Sequence, residues 1–204
     1  MYFDVTVFTS AAITLLVIMD PPGTVPVFLS LTGRKAPETR ARAARQAVLI
    51  SLLVITLFAV AGQAILSYLG IGIPALQGAG GLLLLLIALD LLTGRESAQP
   101  HAQEDVNVAL VPLGTPLLAG PGAIAATIVF VREAEGHISA YLALGAAIVV
   151  VHLALFLCLR FAGGLIKLIR ESGITLLAKI AGLLLAAIAV QLIAESVQGF
   201  MAAG

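Results

Sequence analysis

Residues 20–26 interrupt the first apolar stretch of the chain, and they read Asp20-Pro21-Pro22-Gly23-Thr24-Val25-Pro26. A second interruption in a later apolar stretch reads Ala119-Gly120-Pro121-Gly122-Ala123. Proline lacks a backbone N–H and clashes with the preceding helical turn, whereas glycine adds conformational freedom, so each motif is predicted to break a helix. The two Pro-Gly steps, at Gly23 and Gly122, are 99 residues apart in a chain of 204. This spacing indicates one break in each half of the molecule.

The composition is that of an integral membrane protein. Sixty per cent of the residues are hydrophobic and only 11% are charged, whereas a soluble domain carries about a quarter charged residues. Six apolar stretches approach or exceed the ~20 residues that a spanning helix needs, and they cover 7–31, 47–69, 73–93, 108–131, 138–161 and 174–197. Little sequence is left for a soluble domain, so residues 1–204 are predicted to form a single transmembrane domain.

Basic residues are distributed unevenly between the predicted loops. Five of them follow the first span and three lie around the end of the fifth, whereas only Arg132 lies between the fourth and fifth spans. Cytoplasmic loops carry the excess of lysine and arginine, so this pattern predicts a protein of the cell inner (plasma) membrane with both termini outside. The net charge is zero, and no nucleic acid partner is expected.

Three spans in each half make the second half enter the membrane from the opposite side. We therefore predict an all-α membrane protein of six transmembrane helices, arranged as two inverted three-helix repeats with helices one and four broken. Repeat one covers about 1–100 and repeat two about 101–204. Residues 81–92 of the third span resemble residues 182–193 of the sixth at an offset of 101, which sets Asp90 against Gln191.

Both breaks are predicted near the bilayer midplane, where transporters built from inverted repeats bind their substrates. The half-helix after each break begins with free N–H groups that suit an anion such as a carboxylate. The half-helix before it ends in carbonyl groups that suit an ammonium group. A zwitterionic amino acid matches both poles, whereas an inorganic anion matches only one.

Asp20 is the most informative single residue, because a charged group at the centre of a membrane costs about 2.5–3.5 kcal/mol on insertion scales. Its carboxylate either binds a proton or a substrate ammonium group, or caps the second half-helix. Thr24 and Thr127 follow the two breaks, and their hydroxyls either contact substrate or bond to their own helices. The predicted substrate-binding residues are those around the two breaks and the repeat partner of Asp90, namely Asp20, Pro21, Gly23, Thr24, Ala119, Gly120, Gly122, Ala123, Thr127 and Gln191.

Other intramembrane polar residues are interpreted structurally. Asp90 lies about one turn from Arg95, and we expect an ion pair or a side chain that reaches the interface. His152 is expected as a neutral imidazole that bonds to a neighbouring helix rather than as a proton relay. No cluster of metal ligands or catalytic groups stands out, so neither an enzyme nor a bound cofactor is predicted.

The sequence resembles the MarC family of six-span bacterial and archaeal membrane proteins, also called the neutral amino acid transporter family. The resemblance covers nearly the whole chain, and it rests on residues 20–29, 70–74 with Gly80-Gly81, 111–124 and 190–193. It implies a secondary transporter that moves small neutral amino acids such as glycine and alanine across the inner membrane, with protons or sodium as candidate coupling ions. Thr24 departs from the family pattern, because many members carry asparagine there.

Two alternatives to a secondary transporter stay open. A non-transporting or drug-resistance-associated membrane protein would change antibiotic susceptibility on deletion without altering amino acid flux. A channel for small solutes would carry a flux that does not saturate with substrate concentration.

Overall fold

A computed structural model of the chain describes residues 3–32, 35–94 and 118–203. All regular secondary structure within these ranges is helical. The described helices are α1 Val5–Met19, α2 Pro21–Thr32, α3 Pro37–Leu69, α4 Ile73–Thr93, α5 Pro121–Glu133, α6 Ile138–Arg160 and α7 Ala162–Ala203. α3 and α7 extend well beyond the predicted second and sixth spans, because the segments that precede those spans also form helix.

Several helices are long and apolar enough to cross a membrane. Five such segments occur among the described residues, at Val5–Val25, Pro37–Leu69, Ile73–Thr93, Ile138–Arg160 and Thr175–Ala202. The prediction of a multi-pass helical membrane protein is confirmed. The predicted fourth span, 108–131, lies partly outside the described residues, and its described part is the helix α5.

The first helix is broken at Asp20. α1 ends at Met19, and Asp20 takes the left-handed conformation with φ 40° and ψ 69°. Its N–H donates to the carbonyl of Leu16 over 3.0 Å, which closes the last turn of α1. Its carbonyl accepts from the N–H of Thr24 at 3.0 Å, and its Oδ1 accepts from the N–H of Gly23 at 3.2 Å. Asp20 therefore ends one helix and caps the next.

The second interruption is described from Leu118 onward, and there Gly120 is extended, with φ −63° and ψ 163°. α5 begins at Pro121 after Gly120, whose carbonyl accepts from the N–H of Ile124 at 3.1 Å. No side chain caps α5. Both α2 and α5 therefore start on a proline, the position where a missing N–H costs least. Aligning the two helix starts matches Pro21 with Pro121 and Asp20 with Gly120, at an offset of 100 residues. This offset differs by one residue from the 99 between the two Pro-Gly steps.

The buried apolar side chains form two clusters. One joins α1, α2, α3, α5 and α6 with the start of α7 at Ala162, and we call the first five helices the five-helix bundle. The other joins α4 and α7, and we call these helices the α4–α7 pair. Val17 and Ile18 of α1 pack against the second cluster, so the bundle and the pair are in contact at the broken helix.

Glycines allow α4 and α7 to approach closely. A Cβ atom at Gly81 would lie 2.8 Å from the carbonyl oxygen of Ala189, and one at Gly182 would lie 3.2 Å from the carbonyl oxygen of Ala88. Of these residues, the earlier one on α4 thus meets the later one on α7, and the later one on α4 meets the earlier one on α7. The two helices consequently run antiparallel with their backbones close together.

Candidate functional site

A cavity of about 180 Å³ lies where the two breaks face the α4–α7 pair. α1, α2 and α5 contribute the residues around the breaks, and α4 and α7 contribute the opposite wall. The cavity is lined by Ile18, Met19, Asp20, Gly23, Thr24, Leu84, Ile87, Asp90, Leu91, Leu118, Gly120, Gly122, Ala123 and Leu185. The fold therefore brings both interrupted segments, about 100 residues apart in sequence, to one small space.

Most of the predicted site residues line this cavity. The residues at both breaks that do so are Asp20, Gly23, Thr24, Gly120, Gly122 and Ala123. Pro21 and Ala119 are buried next to them without lining the cavity. Thr127 and Gln191 do not line it either.

The two threonines bond to their own helices. The hydroxyl of Thr24 donates to the carbonyl of Pro21 at 2.9 Å, and that of Thr127 donates to the carbonyl of Ala123 at 2.7 Å. Both side chains are buried. Thr24 still lines the cavity, where its hydroxyl oxygen can accept a hydrogen bond, whereas Thr127 serves the helix backbone alone.

Gln191 takes part in a different polar cluster. Its Nε2 donates to Oε1 of Glu195 at 2.7 Å, and Oε2 of the same carboxylate accepts from Nε2 of Gln77 at 2.9 Å. The cluster joins α4 to α7. Gln77 precedes Asp90 by 13 residues on α4, which is about 20 Å along a helix. Gln191 therefore lies away from Asp90 and outside the cavity lining, although the two residues align in sequence.

Asp90 is a cavity residue that the sequence interpretation missed. It is exposed at the cavity, near Leu84, Ile87 and Leu91. Apolar residues surround Asp90 on every face of α4, so the sequence pattern marks no face that would have identified it. The ion pair expected between Asp90 and Arg95 is not tested, because Arg95 lies outside the described ranges. Asp90 lines the cavity because its side of α4 is turned toward the breaks.

The charged groups on the cavity wall have one sign. Asp20 and Asp90 are both carboxylates, and no cationic side chain of the described ranges lines the cavity. Gly122 and Ala123 lie in the first turn of α5, where backbone N–H groups have no partner within the helix. The cavity thus offers acceptors for a cation or an ammonium group and donors for a carboxylate. Within residues 3–32, 35–94 and 118–203, no group of histidine, cysteine and acidic side chains can hold a metal ion.

Long apolar helices, one of them broken beside a small internal cavity, define a multi-pass integral membrane protein. Residues 5–201 match the MarC family integral membrane protein. The chain belongs to this family.

Its relatives match it over almost their full length. The chain is 37% identical to UPF0056 membrane protein MJ1677 of Methanocaldococcus jannaschii over 202 residues, covering 96% of this chain and 98% of that protein. It is 36% identical to a UPF0056 membrane protein of Archaeoglobus fulgidus, covering 91% and 90% of the two chains. It is 31% identical to UPF0056 membrane protein YhcE of Escherichia coli, covering 97% and 95%. No solved structure matches the chain.

Proposed function

We propose that this protein is a secondary transporter that moves small neutral amino acids, such as glycine and alanine, across the inner membrane of a bacterial or archaeal cell. The observation that carries the proposal is the cavity that both helix breaks line. It combines carboxylates with unpaired helix N–H groups. An α-amino acid carries the complementary pair of charges within one small molecule.

The contrast between the two breaks suggests how a zwitterion would bind. At the first break, the carboxylate of Asp20 accepts from the N–H of Gly23. At the second, Gly120 stands in the equivalent position and brings no side chain, so the N-terminus of α5 has no carboxylate cap. A substrate carboxylate would take that cap position near Gly122, favoured by the positive end of the helix dipole. Its ammonium group would bind Asp20 and Asp90.

The cavity volume favours a small solute. Sites for drug-sized ligands measure about 300–1,000 Å³, whereas this cavity measures about 180 Å³. The restriction follows from the residues around the breaks, because Gly23, Gly120, Gly122 and Ala123 leave little side-chain volume and let the helices approach. A compact neutral amino acid fits this space better than a multidrug substrate does.

We also propose that the chain consists of six spans in two inverted repeats, and the contacts between α4 and α7 support this arrangement. Gly81 meets the carbonyl of Ala189, and Gly182 meets the carbonyl of Ala88. Gly81 and Gly182 are 101 residues apart, and so are Ala88 and Ala189. The two contacts are therefore the same contact with the helices exchanged, as expected for two elements related by a two-fold axis. The buried residues of the pair obey the same offset, with Leu84, Ala88 and Leu91 matching Leu185, Ala189 and Leu192.

The two buried clusters suggest how access would alternate. The cavity lies between the five-helix bundle, which carries both breaks, and the α4–α7 pair. A movement of α4, and of the part of α7 that packs on it, against the bundle would open one side of the cavity and close the other, with Val17 and Ile18 of α1 changing their contacts with the pair. The basic residues that follow the first and fifth predicted spans support cytoplasmic loops at those positions and both termini outside.

A flux assay in proteoliposomes tests the function. Purified protein should exchange internal unlabelled glycine for external labelled glycine, with a rate that saturates, and unlabelled alanine should compete. Imposed proton and sodium gradients, applied separately, should reveal the coupling ion through net accumulation. Liposomes without protein and liposomes with the variant Asp20→Asn are the controls.

The same assay separates the alternatives. A flux that rises linearly with glycine concentration would indicate a channel. The absence of glycine and alanine flux under every imposed gradient, with correctly folded protein in the membrane, would contradict the proposal. A deletion strain with altered antibiotic susceptibility and unchanged amino acid flux would then support a role in drug resistance.

A further inference from the structure

Two leucines of the α4–α7 pair line the cavity beside the helix breaks. Leu84 and Leu185 both line the cavity, and each side chain is fully buried. Leu84 lies directly over the start of α5, since a Cβ atom added at Gly122 would lie 2.6 Å from Cγ of Leu84. Leu84 and Leu185 stand at equivalent positions of α4 and α7, at an offset of 101.

We propose that Leu84 and Leu185 limit the size of the substrate side chain. This inference rests on the proposed function. A ligand carboxylate bound to the first turn of α5 must lie against Leu84, because Leu84 covers Gly122. With the ammonium group held by Asp20, the two charged ends of the amino acid are fixed near the breaks. The substituent on its α-carbon must then share the remaining space with the two leucines.

The packing leaves little room for that substituent to grow. A hydrogen or a methyl group is accommodated beside the leucines, whereas a branched or longer chain must displace one of them. Both leucines belong to the close-packed cluster between α4 and α7, and such a cluster does not yield easily. Shortening either leucine would leave space, because the surrounding structure relaxes only partly around a deleted side chain.

Substrate competition in proteoliposomes tests this inference with three variants, Leu84→Ala, Leu185→Ala and the double variant. Labelled glycine is the reporter, and unlabelled glycine, alanine, valine and leucine compete. We expect valine and leucine to compete weakly against the wild type and more strongly against each variant. One methylene in an apolar pocket changes discrimination by about 10–200-fold, so the ratio of the inhibition constants of valine and glycine is expected to fall by at least about tenfold.

Leu192→Ala is the matched control. Leu192 is a buried leucine of α7 in the same cluster as Leu185, but it does not line the cavity. Its truncation should weaken the packing of the pair and leave the order of substrate preference as in the wild type. Leu185→Phe tests the opposite direction, since a larger side chain should reduce alanine transport relative to glycine transport.

The outcomes separate this inference from the proposed function. If the wild type moves neither glycine nor alanine, the proposed function fails and the size limit fails with it. If the wild type moves both and the cavity variants keep its substrate order, the size limit alone is wrong. Where an alanine variant does not fold, Leu84→Val and Leu185→Val provide smaller truncations, and an unchanged order in those variants would equally overturn the inference.

Discussion

The Oγ atom of Ser51 lies 3.2 Å from Nε2 of His152 in the buried contact between α3 and α6. Nδ1 of the same imidazole lies 2.8 Å from the carbonyl oxygen of Ile148. Because a carbonyl can only accept, Nδ1 carries the proton of a neutral imidazole, and Nε2 then accepts from the Ser51 hydroxyl. The pair is 101 residues apart, the offset that also relates α4 to α7. In the proposed inverted-repeat arrangement these two residues would be equivalent positions, in contact close to the two-fold axis.

Loss of this pair should destabilise the protein. His152→Ala removes the acceptor and leaves a buried hydroxyl, which costs about 1–3 kcal/mol in addition to the lost packing. A double-mutant cycle with Ser51→Ala, measured by denaturant unfolding in detergent micelles, should give a coupling energy of roughly 0.5–3 kcal/mol. A structural role also predicts that His152→Gln keeps glycine flux within a few-fold of the wild type. Complete loss of flux in a stable His152→Gln protein would instead indicate a proton relay.

Substitutions at Asp20 should separate helix capping from ligand binding. Asparagine caps a helix as well as aspartate does and tolerates the left-handed conformation, so Asp20→Asn should fold normally. Asp20→Ala loses the cap and places alanine at φ 40°, which should lower the free energy of unfolding by roughly 1–3 kcal/mol.

Flux measurements on the same two proteins report on the charge. A hydrogen bond to a charged group contributes about 1.5–3 kcal/mol, so Asp20→Asn should raise the KM for glycine by roughly 10- to 100-fold. Asp90→Asn should act in the same direction. A stable Asp20→Asn protein with wild-type KM and gradient dependence would show that the carboxylate is a cap alone.

The two glycines of the α4–α7 contact should differ in tolerance. A Cβ atom at Gly81 would lie 2.8 Å from the main-chain oxygen of Ala189, whereas the closest atoms to one at Gly182 are 3.1 Å away, on Leu91 and Leu92. Overpacking costs about 1–3 kcal/mol, and alanine recovers up to about 1 kcal/mol of helix propensity. Gly81→Ala should therefore lower the melting temperature in detergent, and Gly182→Ala should change it little. The reverse order would contradict this description of the contact.

Engineered disulfides should show which helices move relative to each other. In a Cys158→Ala background, Gly80→Cys with Ala125→Cys joins α4 to α5, across the boundary between the pair and the bundle. A Cβ atom at Gly80 would lie 2.6 Å from that of Ala125, so the bridge needs a small separation of the helices to reach the usual 3.5–4.5 Å. Oxidation should stop glycine flux, and a reductant should restore it.

The matched control joins α4 to α7 within the pair. Gly78→Cys with Ser196→Cys has the required spacing, since a Cβ atom at Gly78 would lie 3.5 Å from Cβ of Ser196. Oxidation of this protein should leave flux unchanged. Two results together would rule out movement of the pair as a unit: inhibition of glycine flux by the bridge within the pair, and normal glycine flux in the protein whose bridge joins α4 to α5.

The membrane class and the break at Asp20 could be predicted because each depends on local chemistry. A continuous apolar stretch must avoid water whatever it packs against. An Asp-Pro-Pro-Gly sequence interrupts a helix through the missing N–H of its prolines. The sequence leaves open which proline starts the second half-helix, because Pro21 and Pro22 both qualify, and the backbone shows that α2 starts at Pro21.

The partners of individual polar side chains could not be predicted in the same way. Gln191 aligns with Asp90 in sequence, yet it bonds to Glu195 and lies away from the cavity. Its role depends on which face of α7 meets α4, and residues 182–193 are apolar around most of the helix, so the sequence pattern marks no face. The same reason concealed Leu84 and Leu185 among many leucines.

The sequence by itself determined the helical membrane class, the family and the helix break at Asp20, because these follow from composition and from the backbone chemistry of proline and glycine. Only the tertiary structure decided that both Pro-Gly motifs line one cavity, that Asp90 joins Asp20 there, and that Leu84 and Leu185 form the opposite wall. Those positions depend on how the helices rotate and pack against one another. In an apolar environment, close van der Waals packing of small residues decides that rotation, and a sequence of uniformly apolar helices does not encode it locally.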